Sequence, residues 1–378
     1  MNSRSIADLS DADLSAEKSK LNAQTSSTAE TSARFKTELL RAKRPKIWSG
    51  PELVETEFPE PRWIVPGLVP EGLSILAGVP KLGKSWLMLS LALAASSGGV
   101  FLGNIWLSPI GVLLLSLEDT PRRLKNRMQK MNAEVDGRLH IATSWPKGRE
   151  CVEQLDAYLS ENPEIKFIGI DTLAKVIAID DGKDYIQTYE AVGQLKTVAD
   201  KHGAAITTVH HVGKAVREDW VQGLMDSTGY GAAADTILAL TRKRGQADAV
   251  LKATGRDVEE QEIALRFDAD IGTWASLGNA ADVQETRERQ ELVDYLQANG
   301  RMKSGELAKA LQKSPQATSN LLVKLEHEGV VHSPEYGRWE AINPRVTRVS
   351  SESAEEELTH DSPLTPVIED ETDDEGLF

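Results

Sequence analysis

The sequence predicts an α/β protein: a largely parallel sheet flanked by helices, followed by a small helical domain. Short apolar runs alternate with amphipathic helical patterns through the first two thirds of the chain. Near-continuous apolar strands separated by helices are typical of a parallel sheet that is covered on both faces. With 378 residues, of which 40% are hydrophobic, the chain can build one sizeable core and a smaller second one.

The predicted strands are short, apolar and bounded by polar residues. They are GLSILAG (72–78), GVLLLSLE (111–118), KFIGIDT (166–172) and AAITTVHH (204–211). The stretches 120–131 and 189–202 between them have an amphipathic helical pattern. Two further strands, DTILALTRK and AVLKATGR, have only residues 245–248 between them, which predicts a hairpin at the edge of the sheet.

Composition divides the chain into five predicted segments. Few large apolar side chains occur in the first segment, and the last contains many acids, so both are expected to be disordered. The region before the last contains three helical patterns and then two short strands around a turn, the pattern of a winged helix-turn-helix. The segments are a tail (1–46), the α/β domain (47–277), a linker (278–284), the winged helix-turn-helix (285–346) and an acidic tail (347–378).

Charge and cysteine content limit the possible classes of function. The formal net charge of −15 argues against a generally basic protein that coats nucleic acid, although many acids lie in residues 352–378, which contain no Lys or Arg. Cys151 is the only cysteine, which excludes an intrachain disulfide or a thiolate metal cluster and fits a reducing cytosol. Without a run of about 18 apolar residues or a signal-peptide pattern, the chain is expected to be soluble and cytoplasmic.

The stretch GVPKLGKS (78–85) lies between a predicted buried strand and a predicted buried helix. Its glycines let the backbone wrap closely around anionic oxygens, and the helix N-terminus adds a positive dipole. We expect Lys84 to neutralise phosphates and the Ser85 hydroxyl to bind Mg²⁺, so the stretch predicts a nucleotide site rather than a tight turn without a ligand. The predicted nucleotide-binding residues are Gly78, Val79, Pro80, Lys81, Leu82, Gly83, Lys84, Ser85 and Trp86.

Polar side chains follow three other predicted strands, at the sheet edge where ligands bind in open α/β sheets. Asp171 suits a role with Mg²⁺, and Glu118 suits a base that orients the attacking water, with Asp119 as the next candidate. His210 or His211 can hydrogen-bond the γ-phosphate. The alternatives are helix capping by the two acids at 118 and 119 and simple solvation of the histidines.

Four segments together resemble the RecA-like AAA-type ATPases related to the plasmid RepA hexameric helicases. They are LAGVPKLGKSWLMLSLALAASSGGVFLG, VLLLSLEDTPRRLKNRM, FIGIDTLAKV and TTVHHVGK, and the likeness extends over residues 63–267. The resemblance implies a RecA-like P-loop core, ATP hydrolysis at subunit interfaces and a ring of six subunits. It assigns Lys84 and Ser85 to the Walker A motif, Asp171 to Walker B and Glu118 to the catalytic glutamate, with a histidine sensor in HHVGK.

Ring ATPases also need a cation, supplied by a neighbouring subunit, that stabilises charge on the γ-phosphoryl group. The candidates follow the core: Arg242, Arg244, Lys252 and Arg256. Because LKATGRD is similar to the Lys-then-Arg arrangement of RecA-like helicases, Arg256 is the first choice and Lys252 the second. The alternative is ordinary surface charge that blocks aggregation at an edge hairpin.

DNA contacts are expected in two regions. In RecA-like rings the loops corresponding to 178–187 and 213–229 face the central channel. The first is acidic, whereas the second contains Lys214, Arg217 and Trp220, which can contact phosphates and stack on bases. In the C-terminal domain, 316–327 is the predicted recognition helix, with Gln316, Thr318, Ser319, Asn320 and Lys324 on its polar side. Alternatively, these loops or this domain bind proteins.

The sequence therefore predicts an ATP-hydrolysing, DNA-acting ATPase, a ring-forming helicase or translocase in the replication of a plasmid, phage or integrated element. The alternative is an ATP-gated initiator, loader or regulator that binds DNA without unwinding it. A small-molecule kinase is disfavoured by the order of Glu118 and Asp171 along the chain. The tail, which ends IEDETDDEGLF, resembles in style the tails of bacterial single-strand-binding proteins. It is expected to bind a replication partner or the protein's own basic surface. The alternative is that it only increases solubility.

Overall fold

The computed structural model describes residues 46–178, 185–212, 230–242 and 248–342. It divides into two compact units, with the boundary between Glu60 and Pro61. The helices are α1 Gly50–Glu55, α2 Lys84–Ser97, α3 Pro121–Lys130, α4 Arg149–Glu161, α5 Tyr185–His202, α6 Tyr230–Ala233, α7 Ala280–Asn299, α8 Ser304–Ala310 and α9 Pro315–His327. In this described part, no helix combines the length and the apolar character needed to cross a membrane.

The strands include one large set that forms the main sheet and several short ones. They are β1 Trp63–Val65, β2 Val69–Pro70, β3 Gly72–Gly78, β4 Val100–Phe101, β5 Ile105–Trp106, β6 Gly111–Ser116, β7 Leu139–Ala142, β8 Ile165–Asp171, β9 Ala205–His211, β10 Thr236–Thr241, β11 Asp248–Gly255, β12 Gln261–Asp268, β13 Thr273–Asn279, β14 Met302–Lys303, β15 Val331–Glu335 and β16 Arg338–Ala341.

Within the described residues, nine strands form the main sheet in the order β13-β12-β11-β10-β3-β9-β8-β6-β7. All neighbours from β10 to β7 are parallel, and those from β10 to β13 are antiparallel. The predicted α/β class with a mostly parallel sheet is therefore confirmed. Because all these parallel strands run the same way, β3, β6, β8 and β9 deliver the residues that follow them to one edge, which we call the carboxyl edge.

Apolar side chains of the sheet pack on both faces, which explains the near-continuous apolar strands. On one face Leu76 and Val112 join a buried cluster with the apolar side chains of α2. On the other face Ile75 and Leu113, neighbours of those residues in sequence, join a second cluster with α4 and α5. Successive strand residues point to opposite faces, so a strand between two helical layers needs apolar residues at every position.

The antiparallel half corrects the predicted edge hairpin. Strands β10 and β11 do pair, Thr236 with Gly255 and Thr241 with Val250, but β12 and β13 continue the sheet beyond them. A run such as QEIALRFD in β12 is less apolar than the core strands because it is only partly buried, and the prediction missed it. Strand β7 and helix α4 were also absent from the prediction.

The C-terminal segment from α7 to β16 has a core of its own, with Leu292, Leu307 and Leu322 among its fully buried side chains. Three short strands form a separate sheet in the order β14-β16-β15. The linker predicted at 278–284 is helical from Ala280, because the Asn279 side chain caps α7 by accepting a hydrogen bond from the amide of Ala281 at 2.8 Å.

The unit before Pro61 is described from residue 46. Its helix α1 is capped by Ser49, whose hydroxyl accepts a hydrogen bond from the amide of Glu52 at 3.3 Å. The ring of Trp48 meets Phe58 edge to face at 5.5 Å, and the Lys46 ammonium lies 3.3 Å from the centroid of the Trp48 ring. No residue of α1 is buried.

Candidate functional site

The loop between β3 and α2 requires glycine at two positions. A Cβ on Gly78 would lie 2.6 Å from the carbonyl oxygen of Leu240, so no side chain fits there. Gly83 has a φ of 98°, in the left-handed region that favours glycine, and a Cβ on it would lie 2.8 Å from the ring of Trp274. The loop therefore holds its backbone close to its neighbours at both ends, at the carboxyl edge and at the N-terminus of α2.

Lys84 is the first residue of α2, and its ammonium group folds back into the loop. The Nζ atom donates hydrogen bonds to the carbonyl oxygens of Gly78 at 2.7 Å and Val79 at 2.9 Å. The residue is only 3% exposed. Burial lowers the pKa of Lys84 to about 8, while the nearby carboxylates of Asp171 and Glu118 act in the opposite direction. A buried cation beside backbone amides at a helix N-terminus is a good site for an anion.

Asp171 ends β8 and is 4% exposed. Burial raises the pKa of Asp171, as do Glu118 and Asp119, whereas a hydrogen bond with the Ser85 side chain and the charge of His211 lower it. Among the described residues, its Oδ1 atom has no hydrogen-bond partner. A hydroxyl and a carboxylate with a spare buried oxygen are the kind of ligand set that Mg²⁺ takes.

Glu118 and Asp119 lie in the turn after β6, which ends at Ser116 rather than at the predicted residue 118. Asp119 is bound by Arg127 and, at 3.2 Å, by Arg123. The N-cap of α3 is Thr120, whose hydroxyl accepts a hydrogen bond from the amide of Arg123. Glu118 does not cap the helix, and its Oε2 atom lies 3.7 Å from Nε2 of His211.

His210 and His211 end β9, which lies between β3 and β8. His210 is paired with Ala77 and His211 with Gly78, so both histidines are level with the start of the glycine loop. Burial lowers the pKa of His210 to about 4, assisted by the positive charges of His211 and Lys84. His210 is therefore neutral at pH 7. His211 is more exposed and close to Glu118.

Trp274 is a residue of this site that sequence reasoning missed. It lies on β13, is buried, and donates a hydrogen bond from its indole Nε1 to the carbonyl oxygen of Gly83 at 3.2 Å. Its ring packs 5.0 Å from that of Phe267, which lies 6.2 Å from Trp86. The β-favouring tryptophan in the stretch TWASLGN was the only sequence signal. It indicates a strand but gives no indication that the strand reaches the loop.

Trp86 lies on α2, just after the glycine loop. The guanidinium of Arg127 lies 5.0 Å from the centroid of its ring, and Gly272 packs against the same ring. Arg127 also binds Asp119. An aromatic and ionic chain thus connects the antiparallel half of the sheet, through α2, to the turn that contains Glu118.

Of the cations predicted to act on a neighbouring subunit, Lys252 and Arg256 have partners in the same chain, and Arg242 lies at the carboxyl edge because β10 is parallel to β3. Lys252, within β11, forms an ion pair with Glu262. Arg256 follows β11 and donates to Asp235 at 3.0 Å, at the sheet edge opposite the carboxyl edge, although its side chain is 63% exposed. Arg242 follows β10 and is exposed. Arg244 lies outside the described residues.

The structure describes only some of the predicted DNA contacts. Lys214, Arg217 and Trp220 lie outside the described residues, as do the acids at positions 180, 181 and 184. On α9, Gln316 bonds to Asn320, Ser319 to the Ser304 hydroxyl, and Lys324 to Glu285. The expected position of Thr318 on the polar side is wrong: its side chain is buried and donates to the carbonyl oxygen of Ser314 at 3.1 Å.

Comparison with known protein families gives one match. Residues 40–217, a little under half of the chain, match a family model described as an AAA domain. No curated protein matches the chain. The match includes the glycine loop, Glu118, Asp171 and both histidines, and it indicates an ATP-binding domain with ATPase activity. The mixed α/β fold with its large, mostly parallel sheet is consistent with a P-loop NTPase core.

Proposed function

We propose that the chain is a RecA-like ATPase that hydrolyses ATP to drive a ring-forming helicase or translocase on DNA. The observation that supports the hydrolytic part best is the arrangement at the carboxyl edge. Lys84, Ser85, Glu118, Asp171 and His211 come from the start of α2, the turn after β6 and the ends of β8 and β9, and they interact within one site. Their types are those that binding and hydrolysis of a triphosphate require.

Each residue has a distinct role in this proposal. The loop amides and Lys84 bind the phosphates of ATP, and Ser85 with Asp171 would hold Mg²⁺. That ion supplies charge neutralisation at the phosphate oxygens when it is bound. Glu118, partly exposed and free of the capping role, orients the attacking water and accepts its proton. His210, neutral at pH 7, is suited to hydrogen bonding without adding charge.

Ring formation belongs to the same proposal. Arg256 lies at the end of β11, which pairs with the start of β10, and therefore at the edge of the sheet opposite its own glycine loop. It can approach a triphosphate only on another subunit, as a cation supplied in trans does. We propose a hexamer in which Arg256, with Lys252 as the second candidate, completes the site of a neighbour.

DNA contact is proposed for the loop with Lys214, Arg217 and Trp220 and for a winged helix-turn-helix formed by α7 to β16. Support for the second comes from the order of its elements, which is helix, strand, helix, helix and two antiparallel strands. Gln316 and Lys324 on α9 are exposed and would contact bases or phosphates. Their bonds to Asn320 and Glu285 would then be exchanged for bonds to DNA.

The second candidate function is an ATP-gated initiator or loader that binds DNA without unwinding it. The separate core of the C-terminal segment favours it, because a domain with its own core can find a DNA site independently of the ATPase domain. A forked-duplex assay distinguishes the two functions. Strand separation dependent on ATP supports the helicase, whereas DNA-stimulated hydrolysis without strand separation supports the initiator.

The hydrolytic site is tested with Glu118→Gln, which keeps the size of the side chain and removes its basicity. We expect turnover to fall by about 10²–10³-fold while Mg-ATP binding, measured by calorimetry, changes little. Glu134→Gln, an exposed carboxylate in the turn after α3, is the matched control and should keep full turnover. Full activity in Glu118→Gln would show that the base is misassigned.

A further inference from the structure

A groove of about 650 Å³ lies between α3 and β7, away from the glycine loop. Apolar side chains of Leu124, Met128, Val135 and Ile141 line it. Val135 is 54% exposed and Ile141 38% exposed. Neighbouring apolar side chains left open in this way, rimmed by polar residues, are typical of a binding surface rather than of ordinary protein surface.

Strand β7 forms one wall of this groove and ends the main sheet. In the part of the chain that the structure describes, its only strand partner is β6. The outer side of an edge strand presents backbone N–H and C=O groups to which an extended peptide can pair. The groove therefore offers both apolar pockets and a backbone template, the combination that suits an extended peptide segment.

The other wall, α3, is strongly basic. Its sequence PRRLKNRMQK contains five cations and no acid. Arg123 and Arg127 are bound to Asp119, whereas Arg122, Lys125 and Lys130 form no ion pair with any described residue. Lys125 lines the groove, and Arg122 precedes it by three positions, on the same side of the helix.

The acids near the groove lie in the turn before β7. Asp136 is bound by Arg138, whose amide and then guanidinium lower the pKa of that carboxyl. Glu134 is exposed in the same turn. These two acids, one of them already paired, are outnumbered by the five cations of α3. A peptide that combines negative charge with apolar anchors is thus the best complement.

The chain itself contains such a peptide. Residues 369–375, EDETDDE, have six acids in seven positions, and Gly376, Leu377 and Phe378 follow them. This segment lies outside the described residues. The 26 residues 343–368 separate it from Ile342, the last described residue, and at roughly 3.3 Å per residue they can extend over about 85 Å. The segment can therefore reach the groove on the same chain.

We propose that residues 369–378 bind in the groove between α3 and β7, with the acids against Arg122 and Lys125 and with Leu377 and Phe378 among the apolar side chains. The proposal does not depend on hydrolysis of ATP. It has a consequence for the site, because α3 also contributes the two arginines that hold Asp119 next to Glu118. A bound tail would lie on the opposite side of that helix.

A competing occupant is the segment 46–60, which also combines acids with exposed apolar side chains such as Val54 and Phe58. It has four glutamates over 15 residues, and one of them, Glu52, is paired with Lys46 at 3.4 Å. Its charge is therefore much less dense than that of the tail. The electrostatic match favours the tail, and the experiment below includes both segments.

Disulfide trapping in the full-length protein tests the proposal. The only native cysteine, Cys151, is buried, and burial raises the pKa of its thiol to about 11, so it reacts slowly. Gln129→Cys places a thiol on the groove wall, and Gly376→Cys places one beside the apolar end of the tail. We expect this pair to form a disulfide at least tenfold faster than the control pair, Gln154→Cys with Gly376→Cys. Position 154 is exposed on α4.

Two additions make the outcomes decisive. Lys125→Glu together with Arg122→Glu should slow trapping by about tenfold, because the tail then meets like charge. Equal rates of disulfide formation from Gly376→Cys to positions 129 and 154 would overturn the proposal. Faster disulfide formation of Gln129→Cys with Phe58→Cys than with Gly376→Cys would also overturn it. The products run as monomers when the tail binds its own chain and as dimers when it binds a second copy, and mass spectrometry of the linked peptides identifies the bond.

Discussion

Two buried aspartates at opposite edges of the same sheet differ in how well they are paired. Asp235, before β10, accepts hydrogen bonds from the amide of Leu73 at 3.0 Å, from Lys196 at 2.7 Å and from Arg256 at 3.0 Å. Asp171, at the carboxyl edge, interacts with Ser85 through its side chain but leaves Oδ1 without a partner among the described residues. Both oxygens of Asp235 are therefore hydrogen-bonded within the chain, whereas one oxygen of Asp171 has no partner among the described residues.

This difference indicates that the two edges of the sheet have different roles, one in stability and one in function. Removing a buried carboxylate that has several partners strongly destabilises the fold, because those partners are then left unpaired. A buried carboxylate with a spare oxygen, next to a buried lysine, costs stability in the absence of a ligand. We infer that the edge with Asp235 holds the sheet together and that the carboxyl edge is maintained for binding. Four predictions test this comparison.

The largest effect is expected for Lys84→Ala. Removing the only buried cation described in the glycine loop should reduce ATP turnover by about 10³-fold or more, because the phosphate charge is no longer neutralised. Steady-state phosphate release measures it. Lys309→Ala, an exposed lysine of α8 far along the chain from the glycine loop, is the control. The free energy of unfolding should stay equal or rise, since the burial that lowers the pKa of Lys84 disfavours its charged form.

Asp235→Ala should lower the free energy of unfolding by about 3 kcal/mol, because Lys196 and Arg256 lose their shared partner at a buried position. Urea unfolding followed by circular dichroism measures the change. Asp200→Ala removes the exposed partner of Lys196 and should cost less than about 0.5 kcal/mol. If the two variants lose equal stability, Asp235 does not have the structural role inferred from its contacts.

Asp171→Asn should show a pH-dependent gain of stability. Because burial raises the pKa of Asp171 above its ordinary value of 3.8, the folded state binds this proton more tightly than the unfolded state. The free energy of unfolding of the wild type therefore falls as pH rises from that value through the folded pKa. The asparagine variant lacks this contribution, so its advantage should grow to about 1 kcal/mol by neutral pH while turnover is lost.

Unfolding curves of both proteins between pH 4 and pH 8 measure this difference. Asp235→Asn is the contrasting variant, since it should be less stable than the wild type at neutral pH. If the difference in free energy of unfolding between Asp171→Asn and the wild type is the same at every pH, the result contradicts the raised pKa of Asp171. A loss of stability at neutral pH would show that the carboxylate is paired as fully as Asp235.

The sequence predicted the carboxyl edge well because its signals are local. Strand β3, the glycine loop and the start of α2 are contiguous, and the apolar run before Asp171 marks the end of a buried strand. The positions of Glu118 and His211 follow from the rule that parallel strands end at one edge. What could not be predicted is pairing, such as the contact between Ser85 and Asp171, because it depends on how neighbouring strands align.

The antiparallel half was predicted poorly for the same physical reason. Strands β12 and β13 are partly exposed, so their apolar pattern is weak, and their position follows from long-range pairing that no local signal specifies. Arg256 was predicted to act on a neighbouring subunit or to be ordinary surface charge, whereas in this chain it binds Asp235, a contact between positions 21 residues apart. The same limit applies to Trp274, which meets Gly83 across 191 residues.

Trp274→Phe tests whether the antiparallel half also supports the carboxyl edge. Phenylalanine keeps an aromatic ring next to Phe267 but removes the N–H that donates to the carbonyl oxygen of Gly83, so the loop loses one fixed point. We expect a three- to tenfold rise in KM for ATP, corresponding to about 1 kcal/mol, with kcat within twofold. Trp106→Phe, on an exposed indole, should change neither constant. If Trp274→Phe is less stable but has an unchanged KM, the tryptophan contributes only to packing. The carboxyl edge would then bind ATP independently of the antiparallel strands.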